Sequence, residues 1–397
     1  MDFVHIDSFP ALLTDEGRRL LDLLADHVAA DELSLATRLR RDHDPELIAA
    51  ALTQTRLRQR GRAKFPGDAD RMFFTPDGLE QATRTSVAEL RAGRFAEGAG
   101  IERVADLCCG IGGDAIALAR AGIAVHAVDR DPLTCAVARA NARALGLADL
   151  MTVECADVSE VALDGCDAVM IDPARRTARG RTFDPESYSP PFSFLTTLAE
   201  RVARGAAKVA PGIPHEIVPA GMEAEWVSDR GDVKEAVLWW GDLARARVSA
   251  TRLPLGDRLS SRAATRQAPV GPVRRYLYEA DGAVVRAHLI AELAEEVDGT
   301  LIDETIAYFT SDRLVGLRLT SVYEITDVLP FNLKKLKAVL RERGVGNLTV
   351  KKRGSAVEPE EVRRRVKPTG PHAATVVLTR VAGAPTMLIT RPVAGAG

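Results

Sequence analysis

Residues 103–132, RVADLCCGIGGDAIALARAGIAVHAVDRDP, narrow the choice of fold more than any other stretch of this 397-residue chain. A short apolar run ends in Gly110-Ile111-Gly112-Gly113, and a helical pattern opens at once at Asp114. A second apolar run ends at Asp129, 17 residues beyond Gly112, and a third, LMTVECAD, ends at Asp157. Glycines at a strand end let the backbone turn sharply and approach a ligand closely. Strand, glycine turn and helix in succession form the opening unit of an open parallel sheet. Such sheets bind ligands beyond the carboxyl ends of their strands.

The alternation continues to about residue 253. RVADLCC, AVHAVD, LMTVECAD, DAVMID, HEIVP, KEAVLWW and ARVSATRL are the strand candidates, with GDAIALARAG, DPLTCAVARANARALG and PPFSFLTTLAERVARGA as the clearest helices. Alternating strands and helices predict an α/β fold with a mainly parallel, doubly wound sheet. KEAVLWW and ARVSATRL follow each other without a clear helix, which predicts an antiparallel hairpin at one edge.

Residues 1–95 read as a helical N-terminal region. Leu20, Leu21, Leu23 and Leu24 sit among charges, and Asp44-Pro45 supplies an N-cap and a proline for the first turn of a helix. The stretch 254–273, rich in Pro, Gly, Ser and Arg, reads as a linker between a 96–253 domain and a small α+β domain over 274–397. In that last domain AVVRAHLIAELAEEV, NLKKLKAVLRERG and EPEEVRRRVK read as helices, and LRLTSVYEIT, NLTVKKRG, ATVVLTRV and TMLIT as strands.

Bulk properties exclude several classes. A net charge of −2 means that any affinity for nucleic acid must come from local patches. No apolar run reaches the ~20 residues of a membrane span, and the N-terminus lacks a signal-peptide pattern, so a cytoplasmic protein is expected. The five cysteines lie between Cys108 and Cys166 without a C-x-x-C pair. Buried thiols and no metal site are expected from them.

The glycine turn does not suit a dinucleotide. The third glycine of G-x-G-x-x-G would fall at Ala115, and Asp106 and Asp114 flank the turn. Two carboxylates disfavour a pyrophosphate and favour a cationic ammonium group. That points to S-adenosylmethionine, with Asp106, Gly110 and Gly112 at its methionine end. Asp129 is placed to accept from the ribose hydroxyls and Asp157 from the adenine amine. The competing reading is that the acids cap helices and the glycines only make a tight turn.

Residues 104–192 resemble the class I methyltransferases, and within them the trimethylguanosine-synthase-like branch. The likeness runs through DLCCGIGGDAIALA, AVDRDP, ARANARALGL, ADV and the Asp-Pro loop. From about residue 270 the chain resembles a THUMP-like domain, through RRYLYEADGAVVRAHLIAEL and LTVKKRG, and FFTPDGLEQAT resembles the helical lead-in of that architecture. The resemblance implies a Rossmann-like class I methyltransferase sheet, S-adenosylmethionine as methyl donor and RNA as acceptor.

The loop DPARRTARGR carries the acceptor chemistry that the resemblance implies, with Asp172 and Pro173 as catalytic residues. A carboxylate and a backbone carbonyl there would accept the hydrogens of an exocyclic amine and orient its lone pair. The second proline and the base-stacking ring of such loops are replaced by Ala174 and Arg175. Three readings of Arg175, Arg176, Arg179 and Arg181 stay open: guanidinium stacking on a base, a phosphate clamp with a ring supplied by Phe183, Tyr188 or Phe192, or a solvated loop. Pro190-Pro191-Phe192 reads as the start of the next helix, with Phe192 packing on the sheet. The loop has no cysteine for covalent attack on a pyrimidine, and His126 reads as a strand-face residue.

Residues 331–370 hold twelve basic residues against four acidic ones, Lys351, Lys352 and Arg353 among them, with Phe331 as the lone aromatic. That surplus predicts a phosphate-reading surface, against the simpler reading of solvated helix faces. The Arg56–Lys64 stretch is a possible extension of it. The function expected is RNA base N-methylation. The alternatives are a small-molecule or protein acceptor, or a non-catalytic RNA-binding protein on the same fold.

Overall fold

The computed structural model describes residues 8–25, 32–177, 180–181 and 184–393, with the side chains of all of these except 32–34, 176–177 and 180–181. The chain forms two compact units, residues 1–223 with 236–245, and residues 224–235 with 246–397.

The first unit begins with six helices: α1 (Phe9–Leu12), α2 (Asp15–Leu24), α3 (Glu32–Leu39), α4 (Pro45–Gly61), α5 (Pro76–Gln81) and α6 (Thr85–Ala96). Asp44 caps α4 as expected, its Oδ1 accepting from Glu46 N at 2.8 Å and Leu47 N at 3.2 Å. Then follow β1 (Arg103–Leu107), α7 (Gly113–Arg120), β2 (Ala124–Asp129), α8 (Pro132–Ala144), β3 (Met151–Cys155) and β4 (Ala168–Ile171). The two-residue strands β5 (Arg176–Thr177) and β6 (Gly180–Arg181) precede α9 (Ser193–Arg201) and β7 (Gly205–Val209). The next strands are β8 (Glu223–Asp229), β9 (Asp232–Trp240), β10 (Val248–Leu253) and β11 (Asp257–Ser261); of these the first unit holds Glu223 and the Ala236–Trp240 end of β9, and the second unit holds the rest.

Strands β7, β4, β1, β2 and β3 lie side by side in that order and all pair in parallel. Strand β9 pairs antiparallel with β7. The chain runs outward from β1 to β3, then returns to place β4 on the other side of β1. Leu107 is therefore in register with both Val128 and Ile171, and a crevice opens beyond them at the reversal of strand order. Every residue of β4 and of β7 is buried, as a parallel sheet covered on both faces requires. Gly205 is needed for packing. A Cβ there would lie 2.3 Å from the Trp240 ring and 2.6 Å from Val169 O.

The N-terminal helices share one core with this sheet. Asn141 on α8 accepts from Phe73 N at 2.7 Å and donates to Phe73 O at 3.1 Å. Gln54 on α4 does the same for Phe74, at 3.0 and 2.6 Å. Residues 73–83 are thereby drawn to the crevice.

Several expectations need correction. HEIVP is a turn bracketed by Pro214 and Pro219, not a strand. The strand is the next segment, EAEWVSD (β8), whose acids hide its burial. Glu223 is satisfied by Arg94 and by Arg245 N, and Glu225 by Thr251 Oγ1 at 2.6 Å. The hairpin between KEAVLWW and ARVSATRL does not form. Strand β10 pairs in parallel with β8 and antiparallel with β11, and β11 occupies part of the stretch expected as linker.

In the second unit follow β12 (Tyr276–Ala280), α10 (Gly282–Arg286), α11 (Ile290–Glu296), β13 (Thr300–Asp303), β14 (Ile306–Ser311) and β15 (Thr320–Pro330). The chain ends with α12 (Leu333–Glu342), β16 (Val345–Lys352), α13 (Pro359–Val366), β17 (His372–Val381) and β18 (Ala384–Pro392). Its seven-stranded sheet has the order β13-β14-β12-β15-β18-β17-β16, antiparallel except for β16 with β17. The single helix expected over 283–297 is broken at His288, which sits at φ 56° while Leu289 N donates to Val284 O at 3.1 Å. Strands β12 to β14 were not expected.

Candidate active site

The glycine turn leaves β1 with two left-handed residues close together, Cys108 at φ 60° and Gly110 at φ 56°. This carries Gly110 N to 3.0 Å from Asp129 Oδ2, while Asp129 Oδ1 accepts from Asp131 N at 3.0 Å. One carboxylate thus ties the ends of β1 and β2 together. Asp131 caps α8 through Thr134 N at 2.7 Å, with Pro132 in the first turn. Gly112, also left-handed at φ 92°, lies off the cavity wall, and a Cβ there would approach Met151 Cε to 3.0 Å.

Beyond the strand ends opens a cavity of about 680 Å³. Asp106, Gly110, Asp114, Asp129, Asp172 and Lys208 are on its wall, and Thr75–Gly78 and Glu80–Thr83 form another side of it. Its deep end holds a charge network. Arg91 Nε donates to Asp114 Oδ1 at 3.0 Å, and Arg91 Nη2 donates to Thr83 Oγ1 at 3.1 Å. Lys208 Nζ donates to Thr83 Oγ1 at 3.0 Å and to Asp172 Oδ2 at 2.6 Å.

Asp106 is the acid left over. It is 1% exposed, and its Oδ2 has no partner among the described residues. Burial, then the nearby Asp114 and Asp172, push its carboxyl well above the usual carboxylate range. An orphaned buried acceptor beside a glycine turn fits an ammonium group, and so fits the amino acid end of S-adenosylmethionine.

A pH dependence follows. A carboxyl that is protonated before binding must release its proton to face a cation. Affinity for S-adenosylmethionine should therefore rise with pH above the ordinary carboxylate range, by up to about tenfold per unit for one proton, as long as the ligand's own amine does not titrate. Calorimetry in buffers of different ionisation heat measures the released proton. Asp106→Asn should flatten the profile, and an unchanged slope would refute the assignment.

Asp172 N donates to Leu107 O at 3.1 Å, so the residue continues the β1–β4 pairing onto the cavity wall. Pro173, Ala174 and Arg175 also line the cavity, and Ala174 exchanges two backbone hydrogen bonds with Ser189. The side chains of Arg176 and Arg181, and all of Arg179 and Phe183, lie outside the described residues. Tyr188 and Phe192 do not reach the cavity. They line a small separate void with Pro173 and Pro190, and Phe192 stands at the N-cap of α9. No aromatic side chain is among the described residues of the cavity wall.

Asp157 is exposed and accepts from Ser159 N at 2.9 Å and Ser159 Oγ at 2.6 Å. It faces a smaller recess of about 100 Å³ that shares Cys108, Asp129, Arg130 and Ala174 with the main cavity. His126 meets Glu154 at 2.8 Å on the sheet, away from this chemistry. Cys108 lines the cavity, but burial and Asp129 push its thiol pKa up, so it is no ready nucleophile.

In the second unit, Lys351, Lys352 and Arg353 are already engaged. Lys351 pairs with Glu279 and lies over the Tyr323 ring, and Lys352 pairs with Glu358 at 2.5 Å. Arg353 donates to Ala307 O at 2.9 Å and lies over the Tyr308 ring. Sequence reasoning missed Thr83, Arg91 and Lys208. The strand that carries Lys208, GAAKV, was not expected: its first two residues read as the end of the preceding helix, and the signal that remained was a single lysine in a short apolar run. Among the described residues no helix is long and apolar enough to cross a membrane, and no group of three or more His, Cys, Asp or Glu side chains is arranged to hold a metal.

Comparison with known proteins agrees with this geometry. Residues 101–192 match the family described as RNA cap guanine-N2 methyltransferase, residues 320–392 the THUMP domain-like family, and residues 5–61 a domain of unknown function. Proteins from two Mycobacterium tuberculosis strains, CDC 1551 and H37Rv, are each 34% identical to this chain over 351 residues, covering 86% of it and 94% of their own length. Both are uncharacterized S-adenosylmethionine-dependent methyltransferases. A crystal structure of a protein from Porphyromonas gingivalis W83, assigned as a methyltransferase, shares the fold with a TM-score of 0.77 at 21% identity, covering 99% of this chain and 100% of that one. With its Rossmann-like sheet, its glycine turn and its THUMP-like C-terminal domain, the chain belongs to the S-adenosylmethionine-dependent methyltransferases.

Proposed function

We propose that this enzyme N-methylates a base in RNA. The observation that carries the reading is Asp172-Pro173 at the end of β4, on the wall of the same cavity as Asp106 and Asp129. S-adenosylmethionine, when bound, supplies a methyl group on a positively charged sulfur. Asp106 faces its ammonium group, Asp129 its ribose hydroxyls, and the Asp157 recess its adenine. Asp172 Oδ1, which has no partner among the described residues, and the Pro173 carbonyl accept the hydrogens of the acceptor amine and hold its lone pair in line.

The match of residues 101–192 to an RNA methyltransferase family supports RNA as acceptor. Membership of the trimethylguanosine-synthase-like branch is part of the same proposal, without its cap-guanosine specificity. The wall holds Arg175 where such a loop would hold a ring. Arg175 is the group proposed to meet the acceptor's base plane or its phosphate.

Backbone binding is assigned to α12 and α13 more than to the engaged Lys351–Arg353 segment. Lys334, Lys335, Lys337, Arg341, Arg364 and Lys367 are exposed and have no carboxylate partner among the described residues. Leu336, Leu340, Val362 and Val366 fix these helices from below.

Two measurements test the reading. Nucleosides in RNA from cells with and without the protein should differ by one methylated species. Changing the six cations to glutamine should weaken RNA binding at 50 mM salt and flatten the slope of log affinity against log salt, by roughly 0.7 for each lost phosphate contact on single-stranded RNA. An unchanged slope removes this surface from the proposal. No RNA binding at low salt by the unaltered protein would favour a small-molecule or protein acceptor.

A further inference from the structure

We propose that Lys208 is a positioning residue for methyl transfer, holding Asp172 with one carboxylate oxygen turned to the acceptor. The inference rests on the reading of Asp172 given above. Lys208 lies in β7, a strand whose five residues are all buried, and its side chain is 7% exposed. A lone ammonium group in such a place is costly unless paired, and an apolar side chain of similar length would fill the space at less cost. Stability alone therefore does not account for a lysine here.

Its partners suggest what does. The ammonium group donates to Asp172 Oδ2 at 2.6 Å and to Thr83 Oγ1 at 3.0 Å. Thr83 Oγ1 also accepts from Arg91, which holds Asp114. The network thus sorts three neighbouring acids. Arg91 satisfies Asp114, Lys208 satisfies one oxygen of Asp172, and Asp106 is left for the cofactor's cation. Without Lys208, Asp172 would face Asp106 and Asp114 with no cation of its own among the described residues. Its carboxylate would lose the hydrogen bond that fixes its rotamer, although it would still line the cavity. Lys208 need not touch acceptor or cofactor for this role.

Misplacement of a reacting group by about 1 Å is expected to cost about 100-fold in rate. For Lys208→Met we expect kcat on RNA from cells lacking the protein to fall about 100-fold. KM for RNA and the Kd of S-adenosylmethionine should stay within about threefold. The decisive measurement is a cycle with Asp172→Asn. If Lys208 acts through Asp172, the double variant is no slower than Asp172→Asn alone. A merely structural lysine would lower the melting temperature, leave kcat per folded molecule unchanged, or multiply its loss with that of Asp172→Asn. Either of the last two results overturns the proposal. Should Lys208→Met not fold, Lys208→Gln is read through the same cycle by the same criterion. An unaltered enzyme that transfers no methyl group to this RNA overturns the Asp172 reading, and this inference with it. An active enzyme with a fully active Lys208→Met overturns this inference alone.

Discussion

Replacing Asp172 by alanine should lower kcat for base methylation by about 10²–10³-fold while leaving the Kd of S-adenosylmethionine within about threefold. The side chain stands on the cavity wall, 25% exposed, with Oδ2 held by Lys208 at 2.6 Å. In the proposed reaction the acceptor amine must give up conjugation with its ring to attack. An oriented carboxylate oxygen favours that geometry only as the new bond forms, so the loss falls on kcat more than on binding. Alanine also leaves the buried Lys208 ammonium with Thr83 as its remaining partner among the described residues. A broken buried ion pair costs about 3–5 kcal/mol, so a lower melting temperature should accompany the kinetic loss. Asp172→Asn separates the two effects. Its amide oxygen still accepts from Lys208, while its NH2 group cannot accept from the amine. Single-turnover kinetics with calorimetric cofactor binding checks this, and an Asp172→Asn enzyme retaining more than about a tenth of its rate would refute the role.

Asp129→Ala should raise the Kd of S-adenosylmethionine about 100-fold. Its carboxylate accepts from Gly110 N and Asp131 N, both at 3.0 Å, and joins the two turns that shape the cavity. Hydrogen bonds to a charged group contribute about 1.5–3 kcal/mol each, and a net loss near 3 kcal/mol is about two decades of affinity. The acceptor proposed for the ribose hydroxyls is lost at the same time. Asp157→Ala should cost less than about tenfold, because that carboxylate is exposed and its hydrogen bonds go to Ser159. Titration calorimetry of both variants orders them, and equal losses would refute the distinction.

The parts of the fold and of the candidate site that were legible in the sequence share one property: their chemistry is local. Gly110 and Gly112 adopt left-handed backbone within a turn of consecutive residues. Asp129 and Asp131 bond to neighbouring turns, and Asp44-Pro45 starts a helix from its own two residues. Strand β8 escaped notice because its buried acids find partners on other segments, which an apolar pattern cannot register. Lys351, Lys352 and Arg353 looked free because Glu279, Glu358 and the ring of Tyr308 approach them only after folding.

The sequence by itself determined a parallel sheet with a glycine turn and acids at successive strand ends. Those features follow from backbone geometry and short-range hydrogen bonds within about thirty consecutive residues. Tertiary structure alone decided which of these neighbouring acids keeps an oxygen without a partner among the described residues. Thr83 and Arg91 come from the N-terminal helical region and Lys208 from a strand far along the chain, and together they assign a cation to Asp114 and to Asp172 but none to Asp106 Oδ2. The balance of a buried charge depends on every group within a few ångströms, and such groups are gathered by packing, not by position in the chain.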